Sequence, residues 1–155
     1  MELLTLKIAE IRPQPGDNLV IVFEPTIRQV PYLAGQFLTL IFNVNNREVR
    51  RSYSLFSNPV TGEPLSIAVK LVENGEISRF LHHKTAVGDI LHALEPNGVF
   101  TYVPFKDTER SIFLFAAGVG VTPIYSILKT ALMEENASKI ILVYSNHSIA
   151  DALFY

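Results

Sequence analysis

The chain contains no cysteine, which excludes a disulfide framework, a thiolate zinc site and cysteine ligands for an iron–sulfur cluster. Any such cluster that works with this protein must be carried by another chain or segment. The 13 Lys and Arg residues form no basic block, and the net charge is −2. Proteins that bind the phosphate backbone need a basic surface, so nucleic acid is not an expected partner.

Long apolar runs are also missing, since no uninterrupted stretch approaches the roughly 20 residues needed to cross a bilayer. The first seven residues alternate like a strand and lack the basic, apolar and small-residue order of a signal peptide. We therefore expect no membrane partner and a cytoplasmic location. Hydrophobic residues make up 48% and charged residues 18% of the 155 positions, a composition typical of folded globular proteins.

The first hundred residues consist of short apolar runs separated by turn residues, which predicts an antiparallel barrel or sandwich. The six predicted strands cover residues 3–11, 19–23, 36–44, 48–56, 65–72 and 89–94. Asn45 and Asn46 predict a tight hairpin, because Asn tolerates positive φ better than most residues. One helix, roughly residues 77–84, interrupts the series and is opened by Gly75.

From about residue 108 the pattern changes to that of a strand–helix–strand unit. The apolar run 111–117 predicts a strand buried on both faces of a parallel sheet. A glycine turn, a helix to about residue 136 and a second strand over 140–144 follow. Residues 108–155 are fewer than the roughly 100 that such a domain normally needs. We therefore expect an incomplete domain here, after a first domain over 1–107. The uncovered sheet edges predict either a missing remainder or self-association through those edges.

Three short motifs lie in order along the chain, and each stands at the end of a predicted element. They are Arg51-Ser52-Tyr53-Ser54, Gly75-Glu76-Ile77-Ser78 and Gly118-Val119-Gly120-Val121-Thr122-Pro123. Taken alone, the first is compatible with an ordinary exposed strand end and the second with an ordinary helix start. The third is a candidate phosphate loop, with a purely structural glycine turn as the alternative.

The order of these motifs resembles the ferredoxin-NADP reductase superfamily, especially flavodoxin reductases and the reductase components of bacterial oxygenases. Residues 32–37, 67–70 and 97–100 are similar to the same family. The resemblance implies a six-stranded antiparallel Greek-key barrel that binds FAD, with FMN less expected, followed by the incomplete parallel α/β domain for NAD(P)H. It also implies electron transfer from NAD(P)H through FAD to a one-electron acceptor: a ferredoxin, a flavodoxin or an oxygenase component.

Elementary chemistry supports this assignment for the flavin half. The planar, permanently charged fork of Arg51 suits bidentate contact with a diphosphate. The helix start near Ile77 offers unpaired N–H groups and the positive end of its dipole to the same group, with Ser78 adding a hydroxyl. Tyr53 has an apolar ring that can cover the isoalloxazine and a polar tip that can reach the ribityl chain.

The resemblance implies catalytic roles for Ser54, near flavin N5, and for Thr122, which would position the two rings beside Pro123. The backbone of Val69 and Lys70 would line the ribityl and phosphate portion. The predicted cofactor-binding residues are Arg51, Ser52, Tyr53, Ser54, Val69, Lys70, Gly75, Ile77, Ser78, Gly118, Gly120, Thr122 and Pro123.

The chain departs from the full dinucleotide fingerprint, because Pro123 replaces the third glycine and no acidic residue follows about 20 positions later. The sequence therefore leaves NADH and NADPH equally open. No metal is expected, because His82 and His83 point about 100° apart on a helix. Two rival interpretations are a flavin-binding or interaction module without turnover of its own, and a barrel that binds a protein partner and no flavin.

Overall fold

The computed structural model describes residues 3–26, 28 and 30–154. The first part of the chain forms strands β1 (Leu4–Gln14), β2 (Asn18–Phe23), β3 (Phe37–Val44), β4 (Arg47–Ser54), β5 (Ser66–Lys70) and β6 (Ile90–Asn97), with helix α1 (Glu76–His83) between β5 and β6. The second part forms strand β7 (Ser111–Ala117), helix α2 (Val121–Glu134) and strand β8 (Lys139–Ser145). Short 3₁₀ turns cover Gly118–Gly120 and Ile149–Asp151.

The six strands of the first part form one antiparallel sheet in the order β4-β3-β6-β1-β2-β5. Its two outer strands approach one another at a bridge between Leu55 and Ile67, and the Phe56 N–H donates to the Ser66 carbonyl over 3.0 Å. The connections from β2 to β3 and from β5 to β6 skip neighbouring strands, as in a Greek key. The structure thus confirms the predicted six-stranded antiparallel fold, curled into an incompletely closed barrel.

Alternating apolar side chains of the strands fill the barrel, and α1 closes it with Ile77 and Leu81. The largest fully buried side chains of this core are those of Leu6, Ile8, Ile21, Phe23, Leu38, Leu40, Leu55, Ile67, Ile77 and Leu81. Burial of this apolar surface is the main stabilising contribution to the barrel. The site elements β4, β5 and α1 are therefore anchored in one core.

The hairpin between β3 and β4 turns at Asn45 and Asn46, with φ values of 51° and 58°. Two consecutive residues of positive φ match the right-handed twist of the flanking strands, so the predicted hairpin is confirmed. Its register pairs Phe37 with Ser54. The hairpin therefore carries the Arg51–Ser54 motif to the end of β4 that lies far from the turn.

Strand β1 is longer than predicted, because it continues through Pro13 to Gln14, where the sequence indicated a turn. Strand β6 pairs with residues Leu4 to Lys7 of β1. The second half of β1, which contains Pro13, therefore pairs with β2 on one side and has no ladder partner on the other among the described residues. A proline lacks the N–H for a ladder bond and is tolerated where a strand has an unpaired side.

In the second part, β7 and β8 are parallel, and α2 covers one face of this pair with Ile124 and Ile127. The prediction that β7 is buried on both faces is wrong for the residues that the structure describes. Phe113 is 60% and Phe115 67% exposed. The continuous apolar run reflects one face packed on α2 and a second apolar face that α2 does not reach.

Helix α2 is fixed to the barrel through the loop at residues 57–63. Ser126 Oγ donates to the Ser57 carbonyl over 2.6 Å, and Thr130 Oγ1 donates to Asn58 Oδ1 over 3.3 Å. Both bonds are buried, so leaving either group unpaired would destabilise the contact. The start of α2 is consequently held in a defined position relative to the barrel. No helix in the described part of the chain is long and apolar enough to cross a membrane.

Candidate functional site

Strand β4 and the start of α1 border a groove of about 520 Å³, here called the β4–α1 groove. Its lining residues are Arg51, Ser52, Tyr53, Lys70, Val72, Asn74, Gly75, Glu76, Ile77 and Ser78. The structure therefore brings together seven of the predicted cofactor-binding residues: Arg51, Ser52, Tyr53, Lys70, Gly75, Ile77 and Ser78. The sequence placed them on three separate elements.

Arg51 supplies a cation at one side of this groove. Its side chain is exposed, and Nη1 donates to the Arg50 carbonyl over 2.7 Å. Among the described residues, no ion pair includes Arg51, whereas neighbouring Arg50 pairs with Glu48 over 2.6 Å. The remaining guanidinium N–H groups of Arg51 can donate to an anion such as a phosphate.

Tyr53 packs its half-buried ring against the barrel core and also lines the groove. Burial raises the pKa of its phenol to about 12, and the nearby Arg51 charge acts in the opposite direction. The phenol is therefore protonated at neutral pH and can donate a hydrogen bond. One aromatic residue thus offers both an apolar face and a polar tip to the groove.

The start of α1 requires glycine at position 75 for a steric reason. A Cβ there would lie 2.4 Å from Ser78 Oγ and 2.9 Å from Val72 Cβ. Ser78 Oγ accepts from the Val72 N–H over 3.1 Å and donates to the Gly75 carbonyl over 3.2 Å. The hydroxyl proton of Ser78 is engaged within the loop, so in this structure Ser78 shapes the groove. Its direct contact with a phosphate stays a prediction.

His82 contacts β5 close to the groove, an interaction that the sequence did not indicate. One of its ring nitrogens, Nε2, lies 3.0 Å from the carbonyl oxygen of Val69. This contact joins the last turn of α1 to β5 next to Lys70. The sequence indicated only that His82 and His83 are poorly placed to share a metal. The position of His82 next to apolar Leu81 was the available signal that its ring contacts the barrel.

A second depression lies between the barrel and the α/β part, at the carboxyl ends of β7 and β8. This interdomain crevice has a volume of about 420 Å³. Its lining residues are Gly16, Asp17, Asn18, Lys70, Ala117, Gly118, Val119, Ser145, Asn146, His147 and Asp151. Ligands of open parallel sheets bind outside the carboxyl ends of the strands. Lys70 lines both the crevice and the β4–α1 groove, so it stands where the two meet.

The glycines of the turn after β7 have open space around them. Gly118 adopts a φ of 49°, and a Cβ at Gly118 or Gly120 would meet no described protein atom within 4 Å. Protein packing therefore does not account for glycine at position 120. Close approach of a nucleotide to the start of α2 stays a prediction, consistent with the preference of helix N-termini for anions.

The remaining predicted residues are not gathered around either depression. Thr122 is buried, and its Oγ1 donates to the Val119 carbonyl over 3.0 Å. Pro123 and Ser54 are half-buried. The predicted residues absent from the lining of both depressions are Ser54, Val69, Gly120, Thr122 and Pro123, and their roles stay predictions.

Comparison with protein families divides the chain in the same way as the structure. Residues 18–102, more than half of the chain, match the oxidoreductase FAD-binding domain, and residues 114–155 match the oxidoreductase NAD-binding domain. These matches confirm FAD and NAD(P)H as the cofactors of the two domain types. The groove has the cation Arg51 and the start of α1, and the crevice has the cation Lys70 and the glycine turn that precedes α2.

Individual relatives cover almost the whole chain. One component of the 1,2-phenylacetyl-CoA epoxidase of Escherichia coli (strain K12) is 31% identical over 97% of this chain and 43% of that protein. The ferredoxin reductase component of the 3-ketosteroid-9-alpha-monooxygenase of Mycolicibacterium smegmatis is 35% identical over 97% of this chain and 44% of that protein. The chain thus spans less than half the length of these two relatives.

A solved structure shows the same architecture. The flavohem-like FAD/NAD-binding domain of the nitric oxide dioxygenase from Vibrio cholerae O1 biovar El Tor superposes with a TM-score of 0.82. It is 28% identical to this chain, and the match covers 97% of this chain and 65% of that one. From its fold, its two domain matches and its relatives, the chain belongs to the ferredoxin-NADP reductase superfamily.

Proposed function

We propose that this protein is an NAD(P)H-dependent flavoprotein reductase that passes electrons to a separate one-electron acceptor. The observation that supports this most strongly is the junction at Lys70, which lines both the β4–α1 groove and the interdomain crevice. Hydride transfer requires donor and acceptor rings in contact, and two adjoining depressions provide for that. The acceptor is a ferredoxin, a flavodoxin or an oxygenase component, since two relatives are named as parts of an epoxidase and of a monooxygenase.

In the β4–α1 groove, FAD supplies the chemistry, because a flavin accepts hydride and releases single electrons. Arg51 and the backbone N–H groups at the start of α1 hold its diphosphate. The ring of Tyr53 covers the isoalloxazine and excludes water, while its protonated hydroxyl donates to the ribityl chain. Ser54, at the end of β4, would hold the edge of the flavin ring through a hydrogen bond from its hydroxyl.

In the interdomain crevice, the turn over Gly118 and Gly120 and the start of α2 hold the diphosphate of the nicotinamide nucleotide. Thr122 and Pro123 follow in the first turn of α2 and set where the nicotinamide ring meets the flavin. We place the boundary between the two domains at residue 107, inside the segment that the two family matches leave uncovered.

Anaerobic titration of FAD-loaded protein with NADH and, separately, with NADPH tests this function. We expect one of them to bleach the visible flavin absorption, and addition of an oxidised ferredoxin or flavodoxin to restore it. Failure of both nucleotides to bleach bound FAD would exclude the reductase function and leave a flavin-binding module without turnover.

We also propose that the chain self-associates through the edges of the β7–β8 pair. The exposed side chains of Phe113, Phe115 and Val143 on this pair support the proposal, because contiguous apolar surface beside unpaired strand edges favours association. The cytoplasmic location expected from the sequence stays a prediction.

A further inference from the structure

Asn18 lies at the start of β2. The nitrogen of its side-chain amide is hydrogen-bonded, whereas the oxygen has no partner among the described residues. Its Nδ2 donates to the carbonyls of Pro15, over 2.6 Å, and Gly16, over 3.2 Å. These two bonds fix which way the amide points. Its Oδ1 is buried and has no hydrogen-bond partner among the described residues, although the residue is only 5% exposed. A buried acceptor without a partner is destabilising.

The position of Asn18 connects this orphan oxygen to the nucleotide site. Asn18 and Lys70 are directly paired across β2 and β5. Both residues line the interdomain crevice, on the side that faces the Gly118 turn. The barrel thus contributes a buried acceptor next to a cation at the place where the nucleotide is proposed to bind.

The turn between β1 and β2 accounts for the amide nitrogen of Asn18 but not for its amide oxygen. Holding the carbonyls of Pro15 and Gly16 requires an N–H donor, which Nδ2 supplies. The fold makes no use of Oδ1 within the described residues. A ligand that carries an N–H or O–H donor would satisfy it.

We propose that Asn18 Oδ1 accepts a hydrogen bond from the nicotinamide half of the bound nucleotide, through the carboxamide N–H or a ribose hydroxyl. This inference rests on the proposed function. Lys70, directly opposite Asn18, also lines the β4–α1 groove, and the nicotinamide must lie next to the flavin for hydride transfer. The nicotinamide end of the nucleotide therefore lies at the Asn18–Lys70 end of the crevice. Asn18 is a positioning residue for the donor ring.

Calorimetric titrations of the FAD-loaded chain with NAD⁺ and with ADP test the proposal, because ADP lacks the nicotinamide half. NADP⁺ and 2′-phospho-ADP form a parallel pair for the other nucleotide. In Asn18→Leu, which has similar size and no acceptor, we expect the preference for dinucleotide over ADP to fall about 3- to 10-fold, as for loss of one neutral hydrogen bond. If Asn18→Leu does not fold, Asn18→Ser, whose hydroxyl is too short to reach the same point, serves in its place.

Asn18→Asp is the matched control, since it keeps an acceptor and loses the Nδ2 donor. Its carboxylate repels the phosphates of both ligands and weakens the binding of both. The preference for dinucleotide over ADP should therefore stay within about threefold of the wild type. A preference that is unchanged in Asn18→Leu, or that falls equally in Asn18→Asp, would overturn the role of Oδ1 and leave the proposed function intact. A wild-type chain that holds FAD but binds neither dinucleotide would contradict the proposed function itself.

Acetylpyridine adenine dinucleotide, in which a methyl replaces the carboxamide NH₂, distinguishes the carboxamide from a ribose hydroxyl as the donor to Asn18. If the carboxamide is the donor, Asn18→Leu should bind this analogue as well as the wild type does. If a ribose hydroxyl is the donor, the loss on substitution should be the same as for NAD⁺. Affinity for the analogue that is unchanged or raised on substitution therefore assigns the carboxamide as the donor.

Discussion

Lys70 of β5 and Gly118 of the turn after β7 line the same crevice, although they belong to different domains. Lys70 also lines the groove that contains Arg51 and the start of α1. The barrel and the α/β part therefore contribute to adjoining depressions, and the polar bonds between α2 and the loop at 57–63 fix their relative position. This arrangement underlies the proposed transfer between two cofactors.

Replacing Arg51 with Ala should weaken FAD binding by about 10- to 100-fold, the range for loss of hydrogen bonds to a charged group. The dissociation constant can be followed by the quenching of FAD fluorescence on binding. Arg50→Ala is the matched control, because Arg50 precedes Arg51 on the same strand, pairs with Glu48 and does not line the groove. Equal losses in the two variants would indicate a general effect of positive charge.

Replacing Gly75 with Ala should lower both FAD affinity and the melting temperature, because the added Cβ collides with Ser78 Oγ and Val72 Cβ. Gly120→Ala meets no described atom and has a negative φ of −62°, so it should melt no lower than the wild type. It should nevertheless weaken nucleotide binding by occupying the space above the turn. Unchanged nucleotide affinity in Gly120→Ala would argue that this turn is structural.

Glu135, at the end of α2, is buried and accepts hydrogen bonds from Arg110, Tyr102 and the Phe105 N–H. The Arg110 guanidinium, first among these partners, holds the pKa of this carboxyl well below its usual range. The unfolded chain keeps the ordinary value of about 4.3. The ionised carboxylate therefore stabilises the fold above that pH, and the contribution is lost as pH falls toward the depressed pKa.

Glu135→Gln should accordingly melt about 5 °C or more below the wild type at neutral pH. The difference between the two proteins should shrink as pH falls below about 4. Circular dichroism melts over a pH series provide the measurement. Glu95→Gln is the control, because Glu95 and its partner Arg28 are both exposed, and exposed pairs contribute little. A pH-independent difference for Glu135→Gln would refute the electrostatic explanation.

Phe115→Ser should reduce self-association if the exposed face of the β7–β8 pair drives it. Sedimentation velocity over a concentration series gives the distribution of species for both proteins. Val99→Ser, a change at a fully exposed apolar residue of the barrel, is the control and should associate like the wild type. A wild-type chain that remains monomeric at every concentration would contradict the proposal.

Much of the fold was predictable because each strand carries its own local signal. The Asn45-Asn46 turn depends on residues that tolerate positive φ, and the start of α1 depends on Gly75. The structure has the turn and the helix start at these positions. Strand β7 was predicted with its observed bounds, but its burial was not. Burial on the second face depends on which element packs there, and an apolar run does not carry that information.

The sequence predicted which motifs form the candidate site. It did not predict the contacts that distant segments make there. Arg51, Tyr53 and Gly75 were singled out by residue type at the ends of elements, and they share one groove. The position of Asn18 in the crevice and the contact of His82 were not predicted, because they arise from pairing between β2 and β5 and from the packing of α1 on β5. Such contacts between distant segments leave no periodicity or motif in the sequence.

The most direct test of the account is the visible spectrum of the wild-type protein after loading with FAD and removal of free flavin by gel filtration. We expect one FAD per chain, with ring absorption shifted from that of the free cofactor because Tyr53 covers the ring, and with the shift lost in Tyr53→Ala. A colourless protein after loading would contradict the central claim that Arg51, Tyr53 and the start of α1 form a flavin site.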